Sequence, residues 1–161
     1  MSVDVLNPPQ PADEVEEVYE PARLAAELLG GEALLGVEVR AEGDFVEVLD
    51  KGVPAASLDV LTEQALSSDE VERLIIARRT LASRKAKGQP LTLVESERAV
   101  RVAWIIALAE DTFVDRDKAH LWLRRPSAAL GGRRPLDLLE TEPGARIVER
   151  MLYQLAYGIA A

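Results

Sequence analysis

The sequence contains no cysteine and only one histidine, and these two scarcities exclude several classes of protein at once. Without cysteine the chain forms no disulfide and no thiolate metal site. Aromatic residues make up only 4% of the 161 residues, whereas apolar residues make up 48%, with alanine and leucine abundant. That balance favours packed helices over a β-sandwich. No apolar run is long enough to span a bilayer and no signal-peptide pattern is present, so we expect a cytoplasmic protein without membrane contact.

Charge is distributed unevenly along a chain whose net charge is −9. Residues 1–77 carry 18 acidic and 4 basic side chains, and residues 102–161 carry 8 of each. Between them, residues 78–101 carry 7 basic and 2 acidic side chains. A basic island in an acidic protein is a candidate anion-binding surface. A solvated helix face that keeps the protein soluble is the alternative, and both interpretations stay open.

Residues 1–21 are predicted to be a disordered lead-in, because prolines and carboxylates replace large apolar groups there. An acidic interaction tail is the alternative use of such a segment. Helical spacing begins at Ala22, and residues 22–90 are predicted to form one helical module. Within it a helix is expected over Phe45–Lys51, stopped by Gly52 and Pro54, although residues 34–49 also show the alternation of a strand.

Two short helices with a tight turn between them are predicted from Ser67 to Lys85. Ser67 and Glu70 form a capping box that begins the first helix. A second short helix rich in cations and hydroxyl groups is typical of a helix-turn-helix, because it fits the major groove, contacts phosphates and reads guanine edges. Ile76 departs from this pattern, since the turn usually contains glycine. The candidate DNA-binding residues are Arg78, Arg79, Thr80, Ser83, Arg84 and Lys85.

The clearest helix follows Thr92, which forms a second capping box with Glu95. Its apolar residues recur at the spacing of one helix face, which predicts a core stripe. The stripe consists of Ala99, Val102, Ile105, Ile106 and Ala109. Arg98 and Arg101 lie on the outer face, where they either contact phosphates or pair with Glu95 and Glu97 on the same helix.

The last helix, predicted to be capped by Thr141 and ended by Gly158, has two distinct faces. The core face consists of Ala145, Val148, Met151, Leu152, Leu155 and Ile159. The opposite face consists of Arg146, Arg150, Tyr153 and Tyr157. Arginine and tyrosine dominate the energetics of protein interfaces, so this face predicts a binding surface. Packing of both tyrosines against other helices of the same chain is the alternative.

Catalytic and metal-binding chemistry is poorly represented. Asp111, Asp115 and Asp117 do not follow the order of an EF-hand, and capping of the next helix explains them more simply. His120 has neither a cysteine nor a second histidine with which to bind zinc. We therefore expect no cofactor, no metal and no catalytic residue, with an acid–base enzyme built around His120 as an alternative.

From Ala119 to Gly158 the chain carries an ordered series of proline, glycine and leucine signals. They are Trp122-Leu123, Pro126, Leu130-Gly131-Gly132, Pro135-Leu136, Leu138-Leu139, Thr141, Gly144-Ala145, Val148 and Leu152. This order resembles the toxin-binding domain of the Xre/MbcA/ParS antitoxins, bacterial proteins that neutralise toxins of the RES-domain family. Arg79-Thr80-Leu81-x-x-Arg84 and Leu91-Thr92 also resemble the Xre-like half of these antitoxins.

The resemblance implies an all-α protein with an Xre-like helix-turn-helix-type module at residues 22–90 and a small helical toxin-binding domain at residues 91–161. It implies an antitoxin of a type II toxin–antitoxin system that blocks the active site of a RES-domain toxin acting on NAD. In the family the end of the last helix and the tail lie over the toxin's active-site cleft. The implied toxin-binding residues are therefore Arg146, Arg150, Tyr153, Tyr157, Gly158 and Ala161.

The expected partners are the cognate toxin, operator DNA through which the antitoxin regulates its own operon, and a second copy in a homodimer or a higher assembly with the toxin. Two further alternatives remain besides the enzyme. A stand-alone helix-turn-helix repressor would bind DNA without a partner, and a helical adaptor would not recognise a RES-domain toxin.

Overall fold

The computed structural model describes residues 18–158, and over that range the chain is all-α, as predicted, with no β-strand. Short 3₁₀ turns supplement the α-helices, the longest of them at Pro135–Glu140. The α-helices of this range are α1 Glu20–Leu28, α2 Gly31–Leu35, α3 Phe45–Lys51, α4 Ser57–Gln64, α5 Ser68–Leu74, α6 Arg78–Ala86, α7 Leu93–Phe113, α8 Arg116–Arg124 and α9 Glu142–Ala156.

The start of α1 shifts one predicted boundary. Residues 1–17 of the expected lead-in lie outside the described residues, but α1 begins at Glu20, two residues before the predicted start of the helical module. Pro21 stands in the first turn, where its missing N–H costs no helical hydrogen bond. Its ring is buried, so Pro21 belongs to the folded core; Glu20 is exposed but helical, and neither residue lies in a disordered lead-in.

Helix α7 is the centre of the core. The predicted stripe is buried, but so is every residue from Val102 to Glu110, on all sides of the helix. Helices α1, α3, α5, α8 and α9 all pack against α7. The alanines at positions 103, 107 and 109 let these neighbours approach closely because they project only a methyl group. The sequence of a helix that is buried on every side shows a weaker hydrophobic periodicity than that of a helix with one exposed face.

Local capping signals proved accurate at each of the four helix starts that they marked. Each side-chain oxygen accepts a hydrogen bond from a backbone N–H three residues later, which satisfies one donor of the free helix end. The bonds join Ser67 to Glu70 at 3.2 Å, Thr92 to Glu95 at 3.3 Å, Asp115 to Lys118 at 3.0 Å and Thr141 to Gly144 at 3.1 Å.

Helices α5 and α6 form the expected helix-turn-helix, joined by residues 75–77. The turn needs no glycine, because none of its residues adopts a positive φ. Ile76 is instead buried, and its side chain contributes to the core cluster. Helix α6 has no buried residue, and Leu81 is its partly buried contact with that core. The second helix of the motif is thus left open to solvent along most of its surface.

The core face of α9 is narrower than predicted. Ala145, Val148 and Leu152 are buried, whereas Met151 is partly exposed. Leu155, predicted to belong to the core, is 52% exposed, since it stands in the last turn of α9, where other helices no longer cover that face. Ile159 lies outside the described residues. The end of α9 therefore exposes apolar surface that the sequence assigned to the interior.

Gly132, which precedes the Pro135–Glu140 turn, and Gly144, in the first turn of α9, require glycine for different physical reasons. Gly132 has φ +84°, but a Cβ built there meets nothing within 4 Å. Gly144 lies in the first turn of α9, where a Cβ would overlap the backbone carbonyl oxygen of Leu138. Gly132 is thus required by backbone conformation alone, and Gly144 by the close approach of α9 to the Pro135–Glu140 turn.

We predict that Gly144→Ala lowers the free energy of unfolding by about 1–3 kcal/mol, because α9 must move away from the carbonyl of Leu138. Gly132→Ala should cost about 1 kcal/mol through backbone strain alone. Urea denaturation followed by circular dichroism measures both variants. Equal stability of Gly144→Ala and the unmodified protein would show that this close approach is absent in solution.

Candidate binding surfaces

The outer face of α9 carries the predicted stripe of Arg146, Arg150, Tyr153 and Tyr157. Arg146 forms an ion pair with Glu142 at 3.6 Å. Arg150 is exposed and makes no ion pair with any residue in the described range. Tyr157 is 74% exposed at the end of the helix. Arg150 and Tyr157 are therefore free to meet a partner.

Tyr153 is more enclosed than its neighbours in the stripe. Its hydroxyl lies 3.5 Å from the hydroxyl of Tyr19, and its ring stacks on that of Tyr157 with centroids 6.3 Å apart. Burial raises the pKa of the Tyr153 hydroxyl, and the contact with Tyr19 and the carboxylates of Glu149 and Glu42 raise it further. The alternative of packing within the chain thus holds for Tyr153, whereas Tyr157 projects outward.

Tyr19 is a surface residue that sequence reasoning missed. It stands just before α1, and its ring centroid lies 6.0 Å from that of Trp104 on α7. With Tyr153 and Tyr157 it forms a row of three tyrosines, which we call the tyrosine ridge. The only signal in the sequence was an apolar pair, Val18-Tyr19, at the end of the acidic lead-in. Of the two further toxin-binding residues that the resemblance implies, Gly158 is exposed just after the end of α9 and Ala161 lies outside the described residues.

Beside the ridge runs a cleft of about 730 Å³ between α3, α7 and α9, which we call the α3–α9 groove. Trp104 is the centre of its floor. The indole Nε1 donates a hydrogen bond to Glu149 at 3.0 Å, and Phe45 packs edge-on at 6.4 Å. The sequence did not predict the groove, because its three walls come from helices that are far apart along the chain.

Arg101 lies in the same groove and corrects one expectation. It does not pair with Glu95 or Glu97; its Nε donates to the carbonyl oxygen of Leu139 at 3.3 Å. Burial lowers the pKa of the Arg101 guanidinium, and the nearby charge of Arg98 lowers it further. Arg98 itself is exposed, without an ion pair in the part of the chain that the structure describes. Arg101 therefore serves the packing of α7 against the 3₁₀ turn.

The candidate DNA-binding residues all lie on α6, but three of them are already ion-paired. Arg78 pairs with Asp69 and, at 2.9 Å, with Glu72. Arg84 pairs with Glu95 at 3.3 Å, and Lys85 pairs with Asp59. Their carboxylate partners come from α4, α5 and α7. The basic island that the sequence shows is thus partly neutralised by carboxylates that are distant in sequence.

The remaining candidates on α6 are less engaged. Arg79 and Ser83 are exposed and Thr80 is half-buried. Arg79 has no ion pair among the described residues. The ion pairs of Arg78 and Lys85 are exposed, and such pairs contribute about 0–1 kcal/mol, so these two cations can exchange a carboxylate for a phosphate. The Arg84–Glu95 pair is partly buried and is held more firmly. Burial resists ionisation of Glu95, but backbone and side-chain hydrogen bonds from Thr92 and Arg84 keep its pKa below the ordinary value.

Two ion-pair networks fix α5 against the C-terminal part of the chain. Arg124 on α8 binds both oxygens of Glu70 at 2.9 and 3.0 Å, and also donates to the carbonyl oxygen of Ala65 at 2.7 Å. Arg73 on α5 pairs with Asp137 of the 3₁₀ turn at 2.7 Å. The first helix of the helix-turn-helix is therefore held rigidly on the other half of the molecule.

His120 is a structural residue in this fold. Its Nε2 lies 2.6 Å from Glu110 Oε1, and Arg116 lies 3.4 Å from the same oxygen, so the three side chains join α7 to α8. Within residues 18–158 no three histidine or carboxylate side chains converge in a way that would hold a metal ion. Nor does this range contain a helix long and apolar enough to cross a membrane.

Comparison with known proteins decides the family. The family model "Antitoxin Xre-like helix-turn-helix domain" matches residues 44–103, and "Antitoxin Xre/MbcA/ParS C-terminal toxin-binding domain" matches residues 108–158. An "Antitoxin Xre" of Pseudomonas putida is 38% identical over 128 residues, which cover 79% of this chain and 80% of the relative. The chain belongs to the Xre/MbcA/ParS antitoxin family.

A second curated relative and a solved structure are also similar to this chain. A protein of a Sphingobium species, named "Prs ADP-ribosylating antitoxin", is 32% identical and covers 73% of this chain, with 81% of its own length matched. A chain of the crystal structure of the Mycobacterium tuberculosis MbcT–MbcA toxin–antitoxin complex superimposes with a TM-score of 0.50. It is 24% identical and covers 66% of this chain and 96% of its own, so it supports the fold alone.

The matched ranges meet within α7, since the helix-turn-helix range ends at Ala103 and the toxin-binding range begins at Leu108. The long helix thus contains the end of one matched range and the start of the other. The boundary between residues 90 and 91 lies just before α7 and stays a prediction. Helix α1 lies outside both matched ranges, although it packs on α7.

We predict that Glu70→Gln lowers the free energy of unfolding at pH 7 by about 1–3 kcal/mol, because it removes the charge that Arg124 binds. Burial resists ionisation of Glu70, but the hydrogen bonds from Arg124 and Ser67 outweigh it and hold the pKa below its usual value. The stabilisation is therefore present above about pH 4.3, the ordinary pKa of glutamate, and is lost as the pH falls through the lower pKa of the folded state.

Urea denaturation at several pH values between 7 and 3 measures this difference. The gap between the unmodified protein and Glu70→Gln should close at the acidic end. Glu32→Gln serves as the matched control, since Glu32 is exposed and has no ion pair in the described range. A gap that stays constant with pH would mean that Glu70 contributes through packing and not through its charge.

Proposed function

We propose that this Xre antitoxin neutralises a RES-domain toxin by covering the toxin's NAD-binding active site with the outer face of α9 and the residues from Gly158 to Ala161. The observation that carries the proposal is the exposed Arg150 and Tyr157 at the end of α9. The name of the Sphingobium relative supports it, because ADP-ribosylation uses NAD as the donor of the ADP-ribose group. The protein acts by occlusion in the cytoplasm and needs no catalytic group or cofactor.

The physical properties of the face fit this role. Tyrosine and arginine contribute large contact area and several hydrogen bonds for few ordered torsions, which is why they dominate binding energies. The tyrosine ridge is pre-organised by the contact of Tyr153 with Tyr19, so little conformational entropy is lost when a partner binds. Three of the residues from 158 to 161 are glycine or alanine, the fourth is Ile159, and none carries a charged side chain, which suits a narrow apolar pocket.

We predict that Arg150→Ala with Tyr157→Ala weakens toxin binding by at least 100-fold, as expected when two central contacts of about 2 kcal/mol each are lost. Co-expression with the cognate toxin tests neutralisation, and calorimetry on the purified pair gives the affinity. Arg79→Ala with Ser83→Ala on α6 is the control and should neutralise fully. Full protection by the folded α9 variant would exclude this face.

We propose further that α6 binds operator DNA, so that the antitoxin regulates its own operon. The exposure of α6 supports this role, because a recognition helix must enter the major groove with its side chains free. Arg79 is the leading contact, since it is exposed and has no ion pair in the described range. A chain with net charge −9 is repelled by DNA overall, so binding must come from α6 and must depend on salt.

The carboxylates around α6 set the strength of that binding. Phosphates must displace Asp69 and Glu72 from Arg78 and Asp59 from Lys85. One module with so few free cations binds weakly, so tight binding requires two copies held together in a homodimer or by the toxin. The same carboxylates reduce binding to DNA that lacks the operator sequence.

We predict opposite effects of two single substitutions on affinity for the promoter upstream of the gene. Arg79→Ala should weaken binding and reduce the slope of log affinity against log salt by about 1, because one phosphate contact is lost. Asp69→Asn should strengthen binding, because it removes a carboxylate that competes with phosphate for Arg78. Fluorescence anisotropy at several salt concentrations, with and without toxin, measures both. If neither variant differs from the unmodified protein, α6 does not contact DNA.

A further inference from the structure

The α3–α9 groove is an apolar cleft that no described element of the chain covers. Trp104 and Phe45 form its floor, and Val46 and Leu49 of α3 form one wall. Val46 is 63% exposed, so the apolar surface of the groove continues onto the outer side of α3. The opposite wall is the first half of α9. A cleft of this size and composition fits a helical turn or a short extended segment of a partner.

The rim of the groove is acidic. Four glutamates and two arginines line it, and both arginines are engaged. Arg146 pairs with Glu142, and Arg101 donates to a backbone carbonyl. Glu42 and Glu97 make no ion pair with any residue in the described range. The charge of Glu97 acts on Arg101, but neither Glu42 nor Glu97 lies within ion-pair distance of a cation in the described range. The groove therefore presents two carboxylates without an ion pair beside an apolar floor, which is complementary to a basic segment and unsuited to nucleic acid.

The groove is continuous with the tyrosine ridge. Glu149 accepts the hydrogen bond of Trp104 from the floor, and both Glu149 and Glu42 act electrostatically on Tyr153 of the ridge. Tyr19 contacts both Trp104 and Tyr153. A partner that covers the outer face of α9 thus reaches the groove without a gap between the two surfaces.

We propose that the α3–α9 groove is a second contact site for the toxin and that it takes a toxin segment with an apolar side chain flanked by lysine or arginine. The proposal rests on the proposed function of the α9 face. The toxin is its occupant because the groove adjoins the tyrosine ridge and because its free carboxylates match a basic segment. The helix-turn-helix domain, which supplies α3, then contributes directly to toxin recognition.

The groove can be observed through its tryptophan. The chain contains two tryptophans, Trp104 in the groove and Trp122 on α8, which packs on Phe113. Full-length antitoxin labelled with 5-fluorotryptophan gives two fluorine NMR signals, and Trp122→Phe assigns them. Unlabelled cognate toxin added in equimolar amount should shift the Trp104 signal.

Charge reversal tests the rim. Glu42→Lys with Glu97→Lys should weaken toxin binding at least tenfold, because both free carboxylates then repel a basic segment. Glu32→Lys with Glu63→Lys is the matched control, since it makes the same change in net charge at exposed positions on α2 and α4 and should bind normally. Calorimetry gives both affinities, and circular dichroism verifies the fold of each variant.

The outcomes separate this proposal from the proposed function. If the rim variant binds toxin as tightly as its control, the groove is not a toxin site, although the α9 face remains one. If the Trp104 signal moves with antitoxin concentration before toxin is added, a second copy occupies the groove and the proposal is overturned. If the unmodified antitoxin does not bind the toxin at all, the proposed function itself fails.

Discussion

Burial of α7 on every side is the constraint on which the rest of the structure depends. All residues from Val102 to Glu110 are removed from water, and α1, α3, α5, α8 and α9 supply the covering surfaces. The helix-turn-helix range ends within α7 and the toxin-binding range begins there. The two matched ranges are therefore not independent folding units joined by a linker, because they share a single hydrophobic core.

Rigid coupling of the two proposed surfaces follows from that core. Glu70 with Arg124, and Arg73 with Asp137, fix α5 to the half of the molecule that carries α9. Helix α6 follows α5 after a three-residue turn, so its position relative to the α9 face is set by the fold. Two antitoxins held on one toxin assembly would present their α6 helices at a fixed spacing, which is the geometric requirement for reading two half-sites.

Two regions of the surface, α6 and the α3–α9 groove, have opposite charge balances and favour partners of different charge. The cations of α6 are balanced by carboxylates from neighbouring helices, and Arg79 is exposed without such a partner in the described range. Around the α3–α9 groove the balance is reversed, since Glu42 and Glu97 are the charges without a partner there. An acidic chain thereby confines any affinity for DNA to one short helix, whereas the carboxylates at the groove favour a cationic partner.

The sequence by itself determined the features that depend on residues within about four positions of one another. The capping boxes of Ser67 and Thr92, the stop after Lys51 and the alignment of Arg146 with Arg150 follow from helix geometry and hydrogen bonding between residues about one turn apart. Only the tertiary structure decided which distant groups meet. Tyr19 reaches Tyr153 across 134 positions, the glutamate that binds Trp104 lies 45 positions away, and the cations of α6 find carboxylates on three other helices. Such contacts are set by how the helices pack around α7, a cooperative result of burying apolar surface that no local pattern records.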